Sequence, residues 1–225
     1  MHGMCEVIER DAYTLWAEAN IFPWCRGRTR IDPSTVSDSS CKELLCKIAK
    51  AGFKVAIWNL TGDIGVPTFR CDIAPAKRLE ISPLIGTGTG CHPDRGIALS
   101  RALTEAAQHR LTIISGARDN LPADAYFADS SPVVKRRLDI IMNESVECDF
   151  ENIDTYTYGT IEEDLRWLLQ RMSNAGIKQA LIVDLTLPEF KIPVIRALVP
   201  GLEDGIGISN YAIGERAQAA ARQVL

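Results

Sequence analysis

Apolar residues recur at helical spacing from the start of the chain: Met4, Val7, Ile8, Ala12, Leu15, Trp16 and Ala19 share one face of an amphipathic helix over residues 2–19. After a loop over 22–33, a second helix is predicted over 37–52, with Ser37-Asp38-Ser39-Ser40 offering caps and Gly52 a stop. Residues 53–60 then alternate like a half-buried strand, residues 62–67 form a turn, and 68–73 read as the antiparallel return. A glycine-rich stretch, Gly86-Thr87-Gly88-Thr89-Gly90-Cys91-His92, feeds a helix over 96–111. Three glycines at alternate positions let the backbone approach a ligand or another strand closely. As a nucleotide motif it is weak, being neither a P-loop nor a dinucleotide fingerprint, and a glycine-rich strand end with a tight turn is the equal alternative. Further on, 114–120 is a charged loop, 130–154 reads as a linker, and 160–176 is a clear amphipathic helix with Glu162, Glu163 and Asp164 at its dipole-favoured end. Strands over 179–185 and 192–199 and an alanine-rich helix over 209–224 complete an α+β chain of mixed or antiparallel sheets packed against helices, without internal repeats.

Composition narrows the function classes. With 225 residues, 46% hydrophobic and 24% charged, the chain can bury a substantial core. A net charge of −4 argues against broad nucleic-acid or anionic-membrane binding, while leaving room for a local phosphate site. No membrane span or signal segment is read, so the expected location is cytoplasmic. The seven cysteines, Cys5, Cys25, Cys41, Cys46, Cys71, Cys91 and Cys148, are scattered and include no Cys-x-x-Cys pair, which suggests neither a disulfide framework nor a zinc site. Cys91, in the glycine-rich turn beside His92, is the one candidate for thiol reactivity.

Candidate chemistry sits on two helical turns a hundred residues apart. Glu6 and Glu9 in the first, and Glu105 and Gln108 in the second, place oxygen ligands at i and i+3 on one helix face. Oxygen-only ligands favour Mg2+, which generally arrives with substrate phosphates. A solvated Glu-x-x-Glu-Arg face is equally ordinary on a surface helix, so neither turn alone is decisive. The residues likewise leave His92 open between a nucleotide contact and a turn hydrogen bond. His109 reads as structural or solvated, and Arg118-Asp119 as a ligand-side element or a loop salt bridge.

Taken together, Glu6-x-x-Glu9-Arg10-Asp11, Gly86-x-Gly-x-Gly-x-His92, Ala98-Leu99-Ser100-Arg101-Ala102-Leu103-Thr104-Glu105-Ala106-Ala107-Gln108-x-Arg110 and Gly116-x-Arg118-Asp119 resemble the YcaO family. The resemblance extends to Val199-Pro200-Gly201-Leu202-Glu203. It implies an ATP- and Mg2+-dependent enzyme that activates a peptide backbone amide by O-phosphorylation. The product is an azoline when a neighbouring Cys, Ser or Thr attacks, and a thioamide when sulfide does. By resemblance, Glu6, Glu9, Glu105 and Gln108 are the metal-binding set, and Arg10, His92 and Arg110 face the nucleotide. A peptide or protein substrate and a TfuA-like or leader-recognising partner are implied as well.

Two departures from the family pattern shape the expectations. Family domains are longer, and a helix at residue 2 lacks a preceding cap, so residues 1–225 are expected to be the C-terminal portion of a longer domain. Apolar surface left uncovered would then favour a homo-oligomer. The chain's last residues, Ala221 to Leu225, lack the alternating prolines of many azoline-forming members, which tilts the reading toward the TfuA-associated, thioamide-forming type. The alternatives are a noncatalytic nucleotide-binding or accessory module, and an unrelated Mg2+-dependent phosphohydrolase.

Overall fold

A computed structural model describes residues 1–19, 29–77, 85–116, 132–205 and 211–222. Its centre is an antiparallel four-stranded sheet in the order β1 (Arg30–Ile31), β2 (Phe53–Asn59), β3 (Thr68–Pro75), β4 (Gly86–Cys91). The register pairs Trp58 with Arg70 and Arg70 with Thr89, and likewise Ala56 with Asp72 and Asp72 with Thr87. Side chains alternate across a strand, so these rows lie on one face. Ile57, Phe69, Cys71 and Ile73 fill the other, where they are buried with Leu99, Leu103 and Phe150.

The helices sort onto the two faces. Helix α1 (His2–Ala19) lies on the polar row, while α2 (Ser39–Lys50) and α3 (Arg95–Ile114) cover the apolar one. Asp38 caps α2 by accepting from the Cys41 amide at 2.8 Å, and Asp94 caps α3 by accepting from the amides of Gly96 and Ile97. The glycine-rich stretch is therefore a strand, not a loop around a ligand. A Cβ at Gly86, Gly88 or Gly90 would stand 2.2–2.3 Å from the backbone of Ala98, Ala102 or Ala106, so bare glycines let α3 lie directly on β4.

The stretch expected as a linker is in part regular. Helix α4 (Pro132–Asn143) buries Ile141 against the sheet, and Phe150 anchors a 3-10 turn, Phe150–Asn152, in the core. Helix α5 (Ile161–Asn174) buries Leu168 and Met172 against Met4 and Ile8 of α1. The hairpin of β5 (Leu181–Asp184) and β6 (Ile195–Leu198) leaves Leu181, Ile182, Val183, Ile195 and Leu198 exposed.

The C-terminal helix α6 (Glu215–Arg222) is held to α1 by charge. Arg216 donates to Asp11 at 2.8 and 3.0 Å and to Asp63 at 2.6 and 3.0 Å. Glu203, from the Pro-Gly-Leu-Glu stretch, accepts from the amides of Gly214 and Ala217 and from the Tyr211 hydroxyl. No helix among the described residues is long and apolar enough to cross a membrane. Arg118-Asp119, Cys25, most of the loop after α1 and the segment at 206–210 lie outside the described residues.

Candidate functional site

Glu6 and Glu9 from α1 and Glu105 and Gln108 from α3 line one cavity of about 640 Å³ at the outer edge of β4. Helical phase explains the grouping. On α3, Arg101, Thr104, Glu105, Gln108, His109 and Thr112 recur at three- and four-residue intervals and form a single stripe. His2, Glu6 and Glu9 do the same on α1. Strand β4 closes the floor with Thr87 and Thr89, which face α1 because the intervening glycines face α3.

The electrostatics are those of crowded acids. Burial, together with Glu6 and Glu105, pushes the Glu9 carboxyl up to about 7, although the Thr89 hydroxyl donates to it at 2.5 Å and opposes the shift. Burial also raises Glu105, offset by the Thr89 amide, which donates to its carboxylate at 3.3 Å. The Thr87 amide donates to His109 Nδ1 at 3.0 Å, so the imidazole caps the strand edge instead of standing free in solvent. Such a site repels itself, and hard oxygen donors around negative charge that Arg101 only partly balances fit a divalent cation. Among the described residues no three Asp, Glu, His or Cys side chains close around one point. That openness suits Mg2+, which keeps several waters and takes one or two carboxylates alongside phosphate oxygens.

Not every expected residue reaches the cavity. Arg10 points elsewhere and meets Asp204 at 3.5 Å, being one residue and about 100° round the helix from Glu9. Five residues beyond Glu105, Arg110 has likewise turned off the stripe; its guanidinium lies 4.8 Å from the Phe53 ring centroid beside an apolar groove. His92 is not among the lining residues, and its Nδ1 accepts from the Asp94 amide at 3.0 Å, the turn hydrogen bond of the two readings. Burial, then Arg101, holds its pKa below the ordinary value.

The basic group that does line the cavity is Arg101, which also donates to the Cys91 carbonyl at 3.1 Å. Sequence reasoning passed it over, although its position four residues before Glu105 was a usable signal. Thr87 and Thr89 were missed because their orientation depends on β4 being a strand. Cys91 is fully buried, and burial drives its thiol well above the usual range, the reverse of an activated nucleophile.

Comparison with known proteins bears on the whole arrangement. Residues 1–203 match the family model described as YcaO cyclodehydratase, ATP- and Mg2+-binding. A Rhizobium leguminosarum bv. trifolii protein named for its place in the tfuA 3′ region is 35% identical over 96% of this chain and 52% of its own length. An uncharacterised protein of Methanothermobacter thermautotrophicus is 34% identical over 90% of this chain and 51% of its own. The chain thus spans about half the length of the curated relatives it matches. Among solved structures, YcaO from Methanopyrus kandleri bound with AMPPCP and Mg2+ superposes with a TM-score of 0.68 at 24% identity, over 90% of this chain and 51% of that one. A heterocyclase in complex with substrate and cofactor gives 0.68 at 21%, over 89% of this chain and 26% of that one. At these identities the structural matches establish a common fold.

Proposed function

The chain belongs to the YcaO family, and from that membership we propose that it contributes to ATP- and Mg2+-dependent activation of a peptide backbone amide. A nucleophile attacks the amide carbon, the carbonyl oxygen takes the γ-phosphoryl group of ATP, and inorganic phosphate then leaves as the new bond is completed. The observation that carries this reading is the meeting of Glu6, Glu9, Glu105 and Gln108 on one cavity, with Glu9 pushed up to about 7 by burial and its neighbours.

Roles follow from the residues' chemistry. One or two of Glu6, Glu9 and Glu105, with the Gln108 amide oxygen and water, would hold Mg2+, which when bound neutralises charge on phosphoryl oxygens. Thr89 fixes Glu9 by its hydroxyl and Glu105 by its amide, so one strand residue orients a donor from each helix. Arg101 supplies a guanidinium at the same cavity, suited to a phosphate. Arg10, Arg110 and His92 are left out of the nucleotide contacts in this reading.

The finer assignment is a thioamide-forming enzyme with a TfuA-type partner, acting on a ribosomally made peptide or protein. The name of the Rhizobium relative supports the partner, and the M. kandleri structure with AMPPCP and Mg2+ supports the cofactors. The exposed faces of β5 and β6 favour self-association or a covering partner.

Calorimetric titration of the chain with ATP and Mg2+, beside Glu9→Gln and Glu105→Gln, tests the site. Binding weakened at least tenfold in both variants is expected. Unchanged binding in both would remove the carboxylates from the site. MgATP binding without phosphate release on any peptide would favour the accessory-module reading.

A further inference from the structure

Next to the acidic cavity lies a second one of about 420 Å³ with the opposite charge. It opens between α1, β2, β3 and α4, and the link between the two cavities is Thr87. That residue lines the acidic cavity, while its hydroxyl accepts a hydrogen bond at 2.7 Å from Arg137 of the second.

The second cavity holds more positive charge than its carboxylates balance. Arg70 grips both oxygens of Asp72, at 3.2 and 3.3 Å, and donates to the Tyr13 hydroxyl at 2.7 Å. It also lies 5.7 Å from the Trp16 ring centroid and 5.9 Å from that of Trp58, so its charge is partnered and its faces are covered. Arg137 must share the same Asp72, donating to it at 2.9 Å. The nearby Arg30 is taken up by Glu144 at 3.5 Å. Two guanidiniums therefore rest on one buried carboxylate before the exposed Arg136, which also lines the cavity, is counted. The Nε of Arg137 is buried and finds no hydrogen-bond partner among the described residues. Burial works against ionising Asp72, but Arg70 and Arg137 outweigh it and hold the carboxyl below its usual range, so Asp72 is already fully charged and has nothing more to give.

We propose that this cleft receives a side-chain carboxylate of the peptide substrate, an Asp or Glu within a few residues of the amide processed at the acidic cavity. The identity of the ligand as a peptide rests on the function proposed above. Forked guanidinium donors match a carboxylate, and Trp16, Val133 and Ile140 offer apolar wall for the methylenes of an acidic side chain. Spacing follows from the register. Asp72 and Thr87 are direct cross-strand partners, hence about 5 Å apart at Cβ, and an extended peptide advances about 3.3 Å per residue. A peptide crossing from one cavity to the other reaches Arg137 in roughly two to four residues.

The test is a titration of the 225-residue chain, without ATP or Mg2+, with two end-blocked Ala/Gly heptapeptides that differ only in one Glu or Gln. Calorimetry and tryptophan fluorescence follow binding. The Glu peptide should bind about tenfold tighter than its Gln counterpart, a difference of about 1.4 kcal/mol, and the preference should shrink with added salt. Arg137→Gln should abolish it. Because Arg137 also supports Asp72, Arg136→Gln serves as the second variant; its exposed side chain can change without disturbing the fold, and the preference should fall there as well. Equal affinity for the two peptides, or a preference that survives both substitutions, overturns the proposal. So does displacement of the Glu peptide by inorganic phosphate at lower concentration than by acetate, which would make the cleft a phosphate site. With nucleotide absent throughout, failure here leaves the MgATP titration standing, and failure of that titration leaves the Glu-over-Gln preference to be scored by itself.

Discussion

Gly88→Ala offers a direct test of how the site is assembled. The added methyl would sit 2.3 Å from both the Ala102 carbonyl oxygen and the Ala106 nitrogen, and 2.8 Å from the Glu105 carbonyl carbon. Those contacts are about 1 Å short of the 3.4 Å at which ordinary contact begins, and all three atoms are helix backbone, which cannot rotate away. Helix α3 must therefore lift from β4 by about that amount. Overpacking of this kind costs about 3 kcal/mol, at the upper end of its range, which for a chain of this size lowers Tm by roughly 6–12 °C. The same displacement carries Glu105 away from the Thr89 amide and should weaken MgATP binding. Thermal melts followed by circular dichroism, together with MgATP titration, read both effects. Gly159→Ala is the control, since its methyl would meet nothing nearer than a Glu163 oxygen at 3.6 Å. A Gly88→Ala protein that melts with the wild type and binds MgATP equally would refute the packing argument.

Other expectations follow from charge and burial. Without Mg2+, Glu9→Gln should stabilise the chain at pH 8: a carboxyl moved from 4.5 up to about 7 costs nothing below 4.5, and the cost grows as pH rises and is complete above about 7. The gain should be about 3 kcal/mol at pH 8 and vanish near pH 4.5; melts showing the same gap at both pH values would contradict this. Arg216→Ala leaves Asp11 buried without its partner and should destabilise by about 3 kcal/mol, with a double-mutant cycle against Asp11→Ala giving a clear coupling energy. In native protein at pH 8, iodoacetamide should modify exposed Cys46 and spare buried Cys91; peptide mapping with comparable labelling at both would show that β4 opens readily.

What could be read from the sequence tracks how local the deciding interactions are. Helices α1 and α5 carry their own periodic apolar faces, and α5 its own cap at Thr160, so their positions follow from local sequence. The acid pairs were legible for the same reason, as i and i+3 neighbours on a turn. Strand β4 was legible only as one of two readings, because a run of Gly and Thr has no apolar alternation; pairing with β3 makes it a strand, and the line of Ala98, Ala102 and Ala106 on α3 accepts only its bare backbone. Helix α4 was read as linker although Val134, Leu138 and Ile141 sit at helical intervals, since charged residues between them dilute the signal. Arg10 and Arg110 are named for the nucleotide by resemblance; helical phase turns both off the stripe that lines the cavity, and Arg101 is on it.

Among the described residues β4 is an end strand of the sheet, and an unprotected end strand invites another chain to pair with it. Here the amides of Thr87 and Thr89 that would template such pairing are already engaged by His109 and Glu105. The groups that give the cavity its chemistry thus also keep the molecule from recruiting strands edge to edge. Drawing Glu105 onto a cation would loosen that guard at Thr89, so ligand occupancy and colloidal behaviour are tied through a single carboxylate. An alanine at position 105 should therefore make the protein more prone to assemble through β-structure, visible as thioflavin-positive aggregation, even where no nucleotide is present.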